Sequence, residues 1–434
     1  MSLRDHRDRT PSPRIPATFL EYVRSFGPGI VVVLTWLGAG DIVGAGVSGG
    51  NYGYALMWVL VLAALVRFVF VSLIAKYQLC NPQGESVLDG LVRLHSAYAP
   101  FLTIAAVVMV HVYGAYMLVG CGETWVKLTG FGATWQWSLV WLIAALALVF
   151  RPVYQRVETV FKVILAVLAA SLVGAAVWAG PNPAGIVRGA FGFALPQTVG
   201  PFGAMLVAVS MIGALGGSLM NLAYPYFLEL KGWRGPAYRK LQAYDLLLGV
   251  VVMILLNLSV WTLGAELVHG TTRSIEGLDG LANLLGEVLG PWGRRLLLTG
   301  IFAAVFTSYV GITLVLAIIA SHGLGHWRGG GPSPGVDHQS TPVYRAVVLW
   351  GLISPMIWTV PGMPDFVTLT VVGNGLQVPL IPILAGGLWR ITASAKYIGR
   401  EHRNRPWENL VMLLTFSLAV WGSYGMIQSL LAAD

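Results

Sequence analysis

The chain has 434 residues, 56% of them hydrophobic and only 11% charged, with a mean hydropathy of +0.71. That balance excludes a soluble globular domain, and the long continuous apolar stretches lack the strand alternation of an outer-membrane barrel, which leaves an all-α polytopic membrane protein. The net charge of +8 is scattered over loops and reads as a topology signal, not as a nucleic-acid-binding face, and Cys80 and Cys121 are too far apart in sequence to suggest a disulfide framework or a cysteine metal site.

Residues 1–24, with Arg4, Arg7, Arg9 and Arg14 among acids and prolines, read as a cytosolic tail. No basic stretch leads directly into a short apolar core and cleavage site, so no signal peptide is expected. Apolar windows then predict about eleven membrane helices, at roughly 28–51, 54–79, 101–126, 134–151, 157–179, 202–230, 241–269, 294–321, 343–361, 365–389 and 408–431. With the N-terminus in the cytoplasm, Lys76, Arg93, Arg151, Lys231, Arg345 and Arg390 share one side with most other basic residues. The opposite side keeps only Lys127, Arg188, Arg273, Arg294 and Arg295. Such an asymmetry satisfies the positive-inside rule; the expected location is the plasma membrane, or the cell inner membrane if bacterial, with the N-terminus cytoplasmic.

The first segment is interrupted by Gly38-Ala39-Gly40-Asp41. A carboxylate at bilayer depth costs about 2.5–3.5 kcal/mol on insertion scales, and broken helices expose the carbonyls and dipole ends from which transporters build midplane ion sites. Arg67, mid-helix in the second segment, is read as pairing with a carboxylate or carbonyls. In the third segment His111 is read as a packed, hydrogen-bonded residue, while Glu123, like Glu266 of the seventh, is read as wetted near an outer helix end. Asp245 and Asp365 fall near helix starts, where the dipole favours them.

A second break lies in the sixth segment, where Gly213, Gly216, Gly217 and Ser218 precede Met220, Asn221 and Pro225. Interior glycines cost about 1 kcal/mol each and proline about 3, so the helix should unwind there. Two breaks five helices apart imply an inverted repeat: repeat one over about 28–180, repeat two over about 202–390, and an extra helix within 396–434, the core spanning 25–395. Residues 270–291 carry helical apolar spacing and predict a short outer helix, and Gly329 to Gly335 form a flexible linker.

Several motifs carry a family resemblance. Phe26-Gly27-Pro28-Gly29, Trp36-Leu37-Gly38-Ala39-Gly40-Asp41 and Asn51-Tyr52-Gly53-Tyr54 resemble the opening of NRAMP divalent-metal transporters, which reads GPG, DPGN and a QYGY-like ending. Gln377-Val378-Pro379-Leu380-Ile381-Pro382 is similar to the family's QLPFALIP, and residues 306–313 fall where its eighth-helix SGQSSTITG run is expected. The resemblance implies a LeuT/APC-like core of five plus five helices.

The departures bear on substrate. Gly38 replaces the family's aspartate and Asp41 its asparagine. Anchored on the preceding glycine, the family's Ala-x-x-Met-Pro-His-Asn motif aligns Ser218 with the alanine and Asn221 with the methionine. A slip of one residue instead retains Met220 and places Gly217 at the alanine, and both registers stay open. The third segment lacks the acids of the family's proton route. Losing a sulfur donor while keeping carboxylate, amide and carbonyl oxygens suits a hard cation, and Mg²⁺ keeps several waters and needs only one or two carboxylates. This pattern resembles the NRAMP-related magnesium transporters. The expected function is import of Mg²⁺, and of Mn²⁺ as well, uncoupled from protons, with Asp41, Gly38, Asn221, Gly217, Ser218 and Gln377 forming the metal site. Alternatives are a proton-coupled Mn²⁺/Fe²⁺ importer and a carrier of amino acids or other organic solutes on the same fold. No catalytic constellation is present and no enzyme is expected. The metal is substrate and there is no cofactor, the bilayer is the surrounding partner, and no obligate protein partner is implied.

Overall fold

The computed structural model describes residues 38–149, 154–216, 219–329 and 341–431, together with positions 16 and 21. The expected tail, the first part of the first segment and most of the expected linker lie outside the described residues. Among the described residues the secondary structure is helical throughout.

Helix α1 spans Ala39–Tyr52, α2 Met57–Cys80, α3 Val87–Leu94, α4 Tyr98–Thr129, α5 Thr134–Val149, α6 Tyr154–Ala179 and α7 Pro183–Gly192. Then come α8 Ala204–Met211, α9 Tyr224–Leu230, α10 Arg239–Leu267, α11 Leu278–Trp327, α12 Pro342–Ile353, α13 Phe366–Leu376, α14 Ile381–Ala393 and α15 Pro406–Leu431. Among the described residues, eight spans are long and apolar enough to cross a bilayer. The shorter α5 and α12, the latter prolonged by a 3-10 stretch over Ser354–Thr359, and the described half of the first segment occupy the other three expected positions. Exposed aliphatic side chains such as Ile104, Ile143, Val163, Val251 and Leu413 form the surface that hydrocarbon would cover.

Local chemistry sets the element ends. Ser86 and Asp89 close a capping box on α3, Asp365 Oδ1 accepts from Thr368 N at 2.7 Å to cap α13, and Thr341 Oγ1 accepts from Tyr344 N to cap α12. The expected outer helix is present as the first part of α11. It ends at Gly290, whose φ of 64° and ψ of −152° no L-residue adopts comfortably, and Pro291 follows. The preceding loop is pinned by Asn51, which donates to Ile275 O at 3.2 Å and accepts from Ile275 N at 2.7 Å.

α1 lies along α10, and α11 along α4. The first crossing is close because both partners present glycine: a Cβ on Gly49 would sit 2.2 Å from Trp261 O, and one on Gly264 would sit 2.6 Å from Gly50 N. Small-residue contact of this kind is how apolar helices pack where lipid removes the hydrophobic drive between them. A buried ion pair, Lys76 Nζ to Glu408 Oε2 at 2.8 Å, fastens α2 to α15.

Two charged residues differ from their sequence reading, and a third, Glu266, is exposed as expected. Glu123 is partly buried, not simply wetted, and accepts from Phe366 N at 3.0 Å beside the Asp365 cap; the free amides at a helix start attract it. Asp245 sits two turns inside α10 and pairs with Lys231 Nζ at 2.6 Å, so a cation rather than a helix dipole stabilises it. Glu266 is exposed, yet it accepts from Tyr54 Oη at 2.8 Å and from Asn182 N at 3.1 Å.

Candidate functional site

Asp41 is placed by the start of α1. Gly38 is extended, with φ −75° and ψ 157°, and its N–H donates to Asp41 Oδ2 at 3.0 Å while its carbonyl accepts from Asp41 N at 3.1 Å. The carboxylate therefore sits in the first turn of a helix that begins inside the protein, against free amides that favour negative charge. Asp41 is only 4% exposed.

The sixth segment loses α geometry at the same level. α8 ends at Met211, a π-helical turn covers Ile212–Gly216, and a 3-10 stretch covers Leu219–Ala223 before α9 resumes with Pro225 in its first turn. Each change of helical type shifts the backbone pairing and frees carbonyls from their usual partners. Gly217 and Ser218 lie outside the described residues.

Both breaks open onto one cavity of about 440 Å³. Gly38, Asp41, Asn221 and Gln377 all line it, so four of the six expected site residues come together. Met220 lines it beside Asn221, and the two register alternatives therefore reach the same space. Gln377 is not free, because Tyr113 Oη donates to its Oε1 at 2.5 Å. Thr307 and Ser308, from the weakly matching run in the eighth segment, complete the oxygen-bearing wall.

Sequence reasoning missed Asn374, Tyr113 and Tyr116 as lining residues. Asn374 lies one helical turn before Gln377 on α13, a spacing that flags it once Gln377 is suspected. Its Nδ2 is buried without a protein partner, and a Cβ on Gly40 would come within 2.6 Å of that nitrogen. Arg67 also lines the cavity. It is buried, its Nη1 donates to Met253 Sδ at 3.3 Å, and its guanidinium is within Coulombic reach of Asp41. His111 does not line the cavity: Nδ1 pairs with Ser354 Oγ at 2.8 Å, Nε2 accepts from Trp358 Nε1 at 3.0 Å, and the ring stacks on Trp350. It is the packed histidine that was expected.

A second cavity, of about 550 Å³, is lined by Glu123, Glu276, Asp279 and Asp365 with Lys127 as the basic member. Asp279 is bridged by Lys127 at 2.5 Å and by Arg294.

A helix that begins at buried depth after extended Gly38 and a second that loses α geometry between Met211 and Tyr224 meet at one buried charged cavity, as in membrane transporters of the broken-helix architecture. The profile of the Nramp family, described as natural resistance-associated macrophage protein-like, matches residues 29–429. The chain belongs to that family. The divalent metal cation transporter MntH of Chromohalobacter salexigens is 23% identical over 382 residues, covering 83% of this chain and 82% of its own. An uncharacterized protein of Pasteurella multocida is 22% identical over 310 residues, 65% of this chain and 66% of its own. Among solved structures, a mutant of the Eremococcus coleocola manganese transporter superposes with a TM-score of 0.72 at 14% identity, over 99% of this chain and 90% of that one. MhsT in complex with L-phenylalanine gives 0.52 at 14% identity, over 96% and 99%. At such identities these likenesses speak for the fold.

Proposed function

We propose that the protein carries divalent metal cations across the membrane, with Mg²⁺ foremost and Mn²⁺ accepted, and that it does so without coupled protons. The observation that carries this reading is Asp41, almost fully buried at a helix break and facing a cavity lined by the amides of Asn221, Asn374 and Gln377 and the hydroxyls of Thr307 and Ser308, with Arg67 and Met220 also in its wall. Membership of the Nramp family and the likeness to MntH support metal as the substrate class.

Asp41 is the principal charge partner, directly or through a bound water. Asn221 supplies an amide oxygen; Gly38, and Gly217 or Ser218, supply carbonyls. Gln377 contributes when Tyr113 releases its oxygen. A lone carboxylate among neutral oxygens suits a hard cation that keeps part of its water. The cavity volume of about 440 Å³ exceeds by far the share of about 30 Å³ that each water needs, leaving room for an ion with its hydration shell. The unpartnered Asn374 amide then donates to a hydration water. Arg67 opposes a dication by like-charge repulsion, so the site binds weakly, as an ion abundant in the surroundings requires. An inside-negative potential drives uptake, because two charges crossing 100 mV gain about 4.6 kcal/mol.

Arg67 also gives the organic-solute alternative a specific footing, since an acid and a base in one cavity match a zwitterion. Uptake of Mg²⁺ into liposomes, followed by an internal dye with pH monitored in parallel, separates the two. Mg²⁺ entry that is lost in Asp41→Ala and leaves the internal pH unchanged supports the proposal. Amino-acid uptake without Mg²⁺ entry overturns it, and metal entry that acidifies the lumen overturns the uncoupled mechanism.

A further inference from the structure

Asp89, His322 and His326 converge away from the central cavity, on the face that the charge asymmetry assigns to the cytoplasm. Asp89 belongs to α3, which connects the second and third membrane segments, and the two histidines lie one turn apart at the end of α11. Asp89 Oδ1 is 2.9 Å from His322 Nε2 and 2.8 Å from His326 Nε2, and the three atoms all lie within 4.8 Å of one another. The imidazole centroids are 5.0 Å apart. All three side chains are 13% exposed or less.

We propose that this cluster is a second metal site, specific for a first-row transition dication of the Mn²⁺-to-Zn²⁺ series, and that metal bound there fastens α3 to the end of α11. The ligand set supports that class. Imidazole nitrogen suits Zn²⁺, Co²⁺ and Ni²⁺, whereas Mg²⁺ demands oxygen, and histidines at i and i+4 project from one helix face. Three protein ligands leave a coordination position for water, as in an open zinc site.

The carboxylate is already oriented. Its other oxygen, Oδ2, accepts from Ser86 N at 3.0 Å and from Ser86 Oγ at 2.7 Å, so Oδ1 is held toward the histidines. Outer hydrogen bonds of this kind fix ligands in metal sites. Ligands about 2.1 Å from a tetrahedral metal lie about 3.4 Å apart, so each nitrogen, now 2.9 and 2.8 Å from Asp89 Oδ1, moves outward from that oxygen by about half an ångström. Each histidine ligates through Nε2 as the neutral imidazole that carries its proton on Nδ1.

The test uses the purified full-length protein and Co²⁺ as a spectroscopic probe, in excess Mg²⁺ to occupy the central cavity. One equivalent of Co²⁺ should bind with visible absorption of nitrogen-ligated, four- or five-coordinate cobalt, and Zn²⁺ should displace it. His322→Gln with His326→Gln keeps a hydrogen-bond donor toward Asp89 but removes both imidazoles, and should weaken Co²⁺ binding at least tenfold and abolish the spectrum. Asp41→Ala should leave both unchanged, which separates this site from the transport site. If the double variant does not purify as a folded protein, His326→Gln alone provides the reading, with the same expected loss. Unchanged Co²⁺ affinity and spectrum in the glutamine variant, or no stoichiometric Co²⁺ binding by the unaltered protein, overturns the proposal.

Discussion

Gly213→Ala is the substitution whose consequence the geometry fixes most tightly. Gly213 lies in the π-helical turn after α8, and a Cβ there would fall 1.9 Å from Asn374 O, 2.9 Å from Asn374 C and 3.2 Å from Gln377 Cγ. Contacts under 3.0 Å are essentially absent for real Cβ atoms, so the sixth and tenth segments must separate by about 1.1 Å. The obstacle is backbone, and no rotamer change relieves it. Overpacking typically costs about 1–3 kcal/mol, and a backbone clash places this variant at about 3 kcal/mol. Spread over an unfolding entropy of about 2.1 cal/mol/K per residue, that lowers the melting temperature by about 3 °C. The same displacement moves Asn374 and Gln377 within the cavity, so liposome uptake should fall at least tenfold. Gly386→Ala is the control: the nearest atom to its Cβ is Phe416 Cε2 at 3.6 Å, an ordinary contact, and alanine favours the helix. A Gly213→Ala protein that melts and transports like the unaltered one, while Gly386→Ala is equally silent, would refute the close approach of these two segments.

Asp41→Asn keeps the shape of the side chain and removes its charge, and it should reduce cation uptake at least a hundredfold while the protein still elutes as a monodisperse species on size exclusion. Arg67→Gln removes the opposing charge, and should tighten Mg²⁺ binding at least threefold in a cation-dependent melting assay, because like-charge repulsion is relieved; weaker binding would show that Arg67 supports the site. Lys76→Met leaves Glu408 buried without its partner, at a cost of about 3–5 kcal/mol, and adding Glu408→Leu should restore most of the lost thermal stability. A double variant as unstable as the single would mean that the pair does not couple α2 to α15. Tyr113→Phe frees the Gln377 oxygen and should change the Mg²⁺ to Mn²⁺ uptake ratio without altering the melting temperature by more than about 2 °C, a loss of one hydrogen bond worth about 1 kcal/mol.

The membrane class, the segment positions and both helix breaks follow from the linear sequence, because each depends on residues close together in the chain. Apolar runs of bilayer length announce spans whatever they pack against, and Gly38 to Asp41 or Gly213 to Pro225 disrupt a helix through their own backbone preferences. The capping role of Asp365 is legible for the same reason. Relations between segments far apart in sequence were decided by the tertiary structure alone. Glu123 became a partner of Phe366 only when α4 met α13, and Asp245 took Lys231 only when the loop before α10 folded back. Arg67 gained the company of Asp41 only around the shared cavity, and Asp89 met His322 and His326 across more than two hundred residues of chain. The charge on each of these residues was visible from the start. Its partner was not, because electrostatic pairing depends on a distance that only the packed helices set.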